Sequence, residues 1–131
     1  EYDENGSLFI KHIYKYNHNG KITEWIINAT DASLNSKTLY KYDTRGNQTE
    51  QQNYNNEGTL TSKVTYKYDL NNNKTEEIEY NVTGSVERKA IYKYDSKENC
   101  VEVAGYKLKE RAGHQAMVLN EFITSEYKYY E

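Results

Sequence analysis

Between short polar clusters, hydrophobic and polar residues alternate with a period of two. From Ser7 to Tyr16, one side of the alternation carries Leu8, Ile10, His12, Tyr14 and Tyr16, and the other carries Phe9, Lys11, Ile13 and Lys15. That period places successive side chains on opposite faces of an extended strand. The clusters have turn chemistry. One set reads Asn17-His18-Asn19-Gly20, Asp43-Thr44-Arg45-Gly46 and Asp69-Leu70-Asn71-Asn72. Another reads Asp3-Glu4-Asn5-Gly6, Asn55-Asn56-Glu57-Gly58 and Asn81-Val82-Thr83-Gly84. Asp or Asn first and Gly or Asn fourth predicts a type I turn closed by a left-handed residue, which makes a hairpin with a G1 bulge. The turns alternate at 14 and 12 residues, leaving strands of about eight to ten residues. The fold class is therefore all-β, an antiparallel meander of about ten strands.

The same positions recur along the chain. Tyr-Lys-Tyr stands at 14–16, 40–42, 66–68 and 92–94, each step being 26 residues, and a fifth copy at 127–129 arrives nine residues late. The step also holds Lys11, Lys37, Lys63 and Lys89, then Glu24, Glu50, Glu76 and Glu102, and Tyr2, Tyr54, Tyr80 and Tyr106 with Asn28 as the exception. Columns kept in register over four copies define a tandem repeat. Residues 1–131 read as one repeat domain. Within it, 107–126 breaks the period and reads as an extended hairpin turning at Glu110-Arg111-Ala112-Gly113. Its unequal arms require a bulge or a loop. Met117, Leu119, Phe122 and Ile123 make it the most apolar stretch, suited to cap the sheet.

Counting with a single bulge per turn, Glu24, Glu50, Glu76 and Glu102 share the tyrosine face with Ile26, Ile78, Tyr54, Tyr80 and Tyr106, and Glu50 lies opposite Tyr40. The second face holds the lysines and Trp25 beside Ile27, and is expected to be the wetter one. A sheet this wide tends to curl or close. The expectation is a strongly coiled single sheet, or an open shell or barrel, with the tyrosine face inside.

Composition sharpens this picture. The chain has 15 Tyr against two Phe, one Trp and one Met, and no Pro. Its mean hydropathy of −1.08 would fit disorder, but the aromatic richness and regular alternation do not. Net charge is −3, from 17 basic and 20 acidic residues. Such balance argues against nucleic acid as a partner, because phosphate binding needs clustered cations. No run approaches the roughly 18 to 20 apolar residues of a membrane-spanning helix. Cys100 is the one cysteine, which leaves no intrachain disulfide and no thiolate metal cluster. His12, His18 and His114 share no metal or triad spacing. Neither a metal nor a cofactor is predicted.

The unit Tyr42-Asp43-Thr44-Arg45-Gly46-Asn47-Gln48-Thr49-Glu50, with its copies from Tyr2 to about Tyr106, resembles the YD repeats of the RHS family. A looser likeness is to MORN-type repeats. The YD resemblance implies strands winding into a hollow β-shell, an extracellular or cell-surface location, commonly in bacteria, and carbohydrate binding. Toxin-type members end the shell in a Pro- and Asp-containing self-cleaving segment. This chain has no proline, so encapsulation and autoproteolysis do not carry over.

Four candidate chemistries follow. The glutamate column offers carboxylate pairs of the kind used in glycoside hydrolysis. An active site occurs once, however, and a column occurring four times marks a structural ladder of Glu24, Glu50, Glu76 and Glu102 with Tyr16, Tyr42, Tyr68 and Tyr94. Lys41, Lys67 and Lys93 could hold an acidic polysaccharide, or line a solvated face. Trp25 could stack on a sugar or cover an apolar patch. Glu110, Arg111 and His114 cluster in the 107–126 hairpin and define the enzymatic alternative. The leading expectation is a non-catalytic, secreted or surface module for binding or scaffolding, with a polysaccharide or a surface protein as partner. Edge pairing into a homo-oligomer is the structural alternative, since no proline guards the edges.

Overall fold

The computed structural model describes residues 4–7, 9–111 and 113–124. From residue 108 onward only Gly113 and Val118 are described beyond the backbone. Nine strands are present among them: β1 (Ile10–Tyr16), β2 (Ile22–Ala29), β3 (Ser36–Tyr42), β4 (Gln48–Tyr54), β5 (Leu60–Tyr68), β6 (Lys74–Tyr80), β7 (Val86–Tyr94), β8 (Cys100–Arg111) and β9 (His114–Thr124). Their hydrogen-bonded order is the chain order. The all-β antiparallel meander is thus present, with nine described strands where about ten were expected. The fifth Tyr-Lys-Tyr, Tyr2 and Leu8 lie outside the described residues, as do the side chains of Met117, Leu119, Phe122 and Ile123. The chain divides into two compact units at Lys63/Val64, within β5.

The turns explain why these segments become strands. Asp43 Oδ1 accepts the backbone N–H groups of Arg45 and Asn47, both at 2.9 Å, while its own N–H donates to the Asn47 carbonyl. The same double acceptance recurs at Asn17, Asn55, Asp69, Asn81 and Asp95. A short side-chain acceptor at the first position satisfies the donors that a tight turn strands. The Asp95 turn was not evident from the sequence because its fourth residue is Glu98, held at φ 67°, where the preceding copies have Gly or Asn. The β2–β3 connection departs from the pattern and makes a short 3-10 turn, Ala32–Leu34, capped by Asp31.

Left-handed backbone is strained for a residue with a Cβ, at a cost of about 1–2 kcal/mol. Glycine recovers that strain but loses more entropy on folding. Glu98→Gly is therefore expected to stabilise the second unit by about 0.5–1 kcal/mol, read as a higher midpoint in urea with an unchanged slope. A lower midpoint would show that the Asp95 turn depends on the Glu98 side chain.

Four of the hairpins, β1–β2, β3–β4, β6–β7 and β7–β8, carry a second irregularity. Tyr42 pairs with Gln48 but Lys41 pairs with Glu50, which leaves Thr49 unopposed. Thr23 and Val101 occupy the same place opposite Lys15/Tyr16 and Lys93/Tyr94, and Glu87 opposite Glu79/Tyr80. In the long β8–β9 hairpin, Asn120 is the extra residue and Arg111 pairs with His114. A one-residue slip moves every following side chain to the other face. The expected face assignment is corrected accordingly. Glu24, Glu50 and Glu102 lie opposite Lys15, Lys41 and Lys93, and Tyr40 lies opposite Gln51. Tyr54 and Tyr106 join the lysine face opposite Lys37 and Lys89, and Ile26 and Ile78 face the same lysines from the neighbouring strands. Trp25, opposite Tyr14, moves to the tyrosine face.

The sole buried residue among those described is Ala104, at 4 % exposure, and it belongs to the lysine face two residues from Glu102. Tyr14 and Tyr16, on the tyrosine face, are exposed. On the lysine face Lys15, Lys41, Lys67 and Lys93 are also exposed, so exposure does not separate the two faces. Among the described residues, each unit is held by ladder hydrogen bonds and half-buried side chains.

Candidate functional site

Three arrangements concentrate chemistry. The first is a row of ion pairs on the lysine face. In the first unit, Glu24 meets Lys15 at 2.5 Å, and Glu50 meets Lys41 at 2.8 Å and Lys63 at 3.2 Å. In the second, Glu76 meets Lys67 at 2.8 Å and Lys89 at 2.9 Å, and Glu102 meets Lys93 at 2.6 Å. Glu50 Oε1 is shielded from solvent, with Lys41 Nζ 2.8 Å away. Lys41 lies directly opposite Glu50, and Lys89, opposite Ile78, reaches Glu76 diagonally, which is the geometry of cross-strand pairing.

Charge follows from this geometry. At Glu50, partial burial pushes the carboxyl pKa up, but the hydrogen bonds and charges of Lys41 and Lys63 outweigh it and hold the group below its ordinary value. At Glu76, the hydrogen bond from Lys67 is the main influence, Lys89 adds to it, and the pKa is again lowered. Lys41 and Lys67 are raised, chiefly by hydrogen bonds to Glu50 and Glu76. A carboxylate held ionised between two ammonium groups is unsuited to donate a proton, the role an acid catalyst needs.

The tyrosine hydroxyls act elsewhere. Tyr42 donates to the Ile22 carbonyl and Tyr94 to the Lys74 carbonyl, both at 2.7 Å. Ile22 and Lys74 occupy equivalent repeat positions, and Ile22 directly precedes the bulge residue Thr23. The hydroxyl thus satisfies a carbonyl at a site where the ladder is interrupted. Tyr16, the copy in β1, is 59 % exposed, and Tyr68 stands in β5.

The second arrangement lies on the tyrosine face of the first unit. His12, Tyr14 and Trp25 form a triangle of near-parallel rings, with centroids 5.9–6.4 Å apart and interplanar angles of 12–26°. Trp25 Nε1 donates to His12 Nδ1 at 3.2 Å. Trp25 pairs with Thr38 in the next strand. From there a relay of polar groups crosses the sheet: Thr38 Oγ1 donates to Asn53 Oδ1 at 3.0 Å, Gln51 Nε2 donates to the same oxygen at 3.3 Å, and Asn53 Nδ2 donates to Ser62 Oγ at 2.7 Å. Sequence reasoning missed this relay because the hidden bulge obscured which residues share a face.

The third is the equivalent face of the second unit, which is charged. Lys74 lies over the rings of Tyr66 and Tyr92 at 5.4 and 5.2 Å and pairs with Glu77 at 2.5 Å. An open cleft nearby is lined by Glu77, Glu79, Arg88 and Lys107 around the small residues Ala90 and Gly105. The sequence candidates Lys67 and Lys93 are on the opposite face, in the ion-pair row. The side chains of Glu110, Arg111 and His114 lie outside the described residues. Among the described residues, no group of three or more His, Cys, Asp or Glu side chains has metal-holding geometry, and no helix is long and apolar enough to cross a membrane.

No family model and no curated protein matches this chain. Among solved structures, a Bacteroides fragilis protein of unknown function is similar at a TM-score of 0.59 and 18 % identity, over 94 % of this chain and 96 % of that one. A DUF3836 family protein from Bacteroides vulgatus aligns at a TM-score of 0.31 and 16 % identity, over 89 % of this chain and 98 % of that one. What the first of these likenesses establishes is a shared fold.

Proposed function

We propose that this chain is a non-catalytic β-repeat module for binding or scaffolding, working outside the cell or at its surface. The observation that carries the reading is the fate of its repeated charges. Glu50 and Glu76, the most enclosed carboxylates of the repeat columns, are each bridged by two lysines in the same way. Their chemistry holds strands together, and a repeated structural element is a different thing from a site. The YD-type periodicity supports the same reading and, with it, a secreted or surface location. Lys41, Lys67 and Lys93 are ion-paired, which lowers their value for an acidic polysaccharide and leaves the tyrosine face as the better binding surface.

The test is turnover. Incubation of the chain with neutral and acidic polysaccharides is expected to release no reducing ends above a buffer control. Release that disappears in Glu50→Gln or Glu76→Gln would overturn the reading and make the column catalytic.

A further inference from the structure

We propose that the tyrosine face of the first unit is a binding strip for a neutral polysaccharide, with Trp25, Tyr14 and His12 as its stacking end and Thr38, Gln51, Asn53 and Ser62 as its hydrogen-bonding end. This rests on the non-catalytic reading above and assigns it a surface and a ligand class.

The argument begins with charge. Every Lys and Glu in β1–β4 and in the first-unit part of β5 belongs to the lysine face, by the registers and ion pairs already given. The opposite face of those strands carries Ile10, His12, Tyr14, Tyr16, Trp25, Ile27, Ser36, Thr38, Tyr40, Tyr42, Gln51, Asn53 and Ser62 by pairing and side-chain contact. None of these is Lys, Arg, Asp or Glu. The equivalent face of the second unit holds Lys74, Glu77, Glu79 and Arg88, so freedom from charge is a property of the first unit and not of the repeat. A face without fixed charge offers a charged polymer no electrostatic attraction.

Shape and hydrogen bonding narrow the class further. A pyranose ring presents an apolar face of C–H bonds and a rim of hydroxyl groups. Near-parallel rings about 6 Å apart cannot lie one upon another, since stacked carbons touch at about 3.5–4.0 Å. The three rings are therefore displaced sideways, and the Trp25 to His12 hydrogen bond fixes their mutual position. His12 and Tyr14 are exposed and Trp25 is half-buried, so their surface is open to a ligand while their orientation is held. Beyond Trp25 the relay presents hydroxyl and amide groups only. Asn53 Nδ2 keeps a second N–H beyond the one it gives to Ser62, while Asn53 Oδ1 is filled by Thr38 and Gln51. From β1 to β5 this strip crosses four strand spacings, roughly 19 Å at about 4.8 Å each, long enough for an oligosaccharide rather than a single sugar.

The experiment is native affinity electrophoresis of the full chain in gels containing mixed-linkage β-glucan, galactomannan or dextran, with polygalacturonate as the acidic comparison. Retardation by a neutral polymer is expected. Trp25→Ala should weaken it about tenfold or more, as loss of a central aromatic anchor does. Asn53→Asp, which keeps size and adds charge, should weaken it as well, with circular dichroism confirming that both variants fold. Glu79→Gln, on the second unit, should leave it unchanged. Retardation only by polygalacturonate, retardation insensitive to both first-unit variants, or none by any polymer would each overturn the strip. None of these outcomes touches the non-catalytic reading, which fails only on turnover.

Discussion

Replacing Glu76 with lysine is expected to destabilise the second unit by roughly 3 kcal/mol. Glu76 is only 13 % exposed and stands between Lys67 at 2.8 Å and Lys89 at 2.9 Å. The substitution removes two ion pairs, worth about 0.5 kcal/mol each because their lysines reach solvent. It also brings three ammonium groups together. At an effective dielectric near 20, two like charges 4 Å apart repel by about 4 kcal/mol. Lys67 is 73 % exposed and can swing away, so roughly 1 kcal/mol per pair is the realistic figure after screening. For a chain of this length the sum corresponds to a fall in Tm of roughly 10 °C. Glu79→Lys is the matched control. Glu79 lies on the opposite face, is 39 % exposed, and meets Arg88 only at 3.9 Å, so its reversal should lower Tm by a few degrees at most. Differential scanning calorimetry of the two variants decides the matter. Equal shifts would mean that the lysine-bridged column contributes no more than ordinary surface charge.

Much of the architecture was legible because turns are local. Asp or Asn followed three residues later by Gly encodes its own hydrogen bonds, and the hairpins at Asn17, Asp43, Asn55 and Asn81 follow. Successive hairpins without a long connection leave only a meander. The proposed binding strip was not legible, for an equally physical reason. The bulge at Thr23, Thr49 and Val101 has no compositional signal, since Thr and Val are ordinary strand residues. One unopposed residue in each of these three hairpins nevertheless exchanges the faces of β2, β4 and β8 relative to the strand that precedes each. That single slip separated Glu50 from Tyr40, gave it Lys41, and carried Trp25 from the lysines to Tyr14 and His12. The turn at Asp95 escaped notice because Glu98 takes the left-handed place by tertiary demand rather than by preference. The lysine candidates Lys41, Lys67 and Lys93 were correctly placed on one face, but their partners were not apparent until the register was known.

Stability should form a plateau bounded by acid and alkaline limbs, and the two limbs should report different parts of the repeat. Glu50 and Glu76 have pKa values lowered from 4.5 in the folded chain. Their contribution is complete above the unfolded value, and it is lost as pH falls through the lower folded values. The acid limb therefore begins below pH 4.5 and deepens as these carboxylates release their lysines. On the alkaline side, Tyr42 and Tyr94 are raised above 10.0, chiefly because burial disfavours the phenolate. Lys41 and Lys67 are raised above 10.5, chiefly by hydrogen bonds to Glu50 and Glu76. Groups raised on folding contribute fully below their unfolded values and lose that contribution as pH rises through the folded ones. A combined Glu50→Gln and Glu76→Gln variant should lose stability at neutral pH, and its deficit should shrink as pH falls below 4.5 toward the lowered folded values and the unsubstituted chain loses its ionised carboxylates. Tyr94→Phe should cost about 1 kcal/mol at neutral pH by removing the hydroxyl-to-carbonyl bond, and should narrow its deficit above pH 10. Urea midpoints measured across pH 3 to 11 give both limbs in one series. A double glutamine variant whose deficit stays constant from pH 7 to 3 would show that the lost stability comes from packing and not from the ionised column.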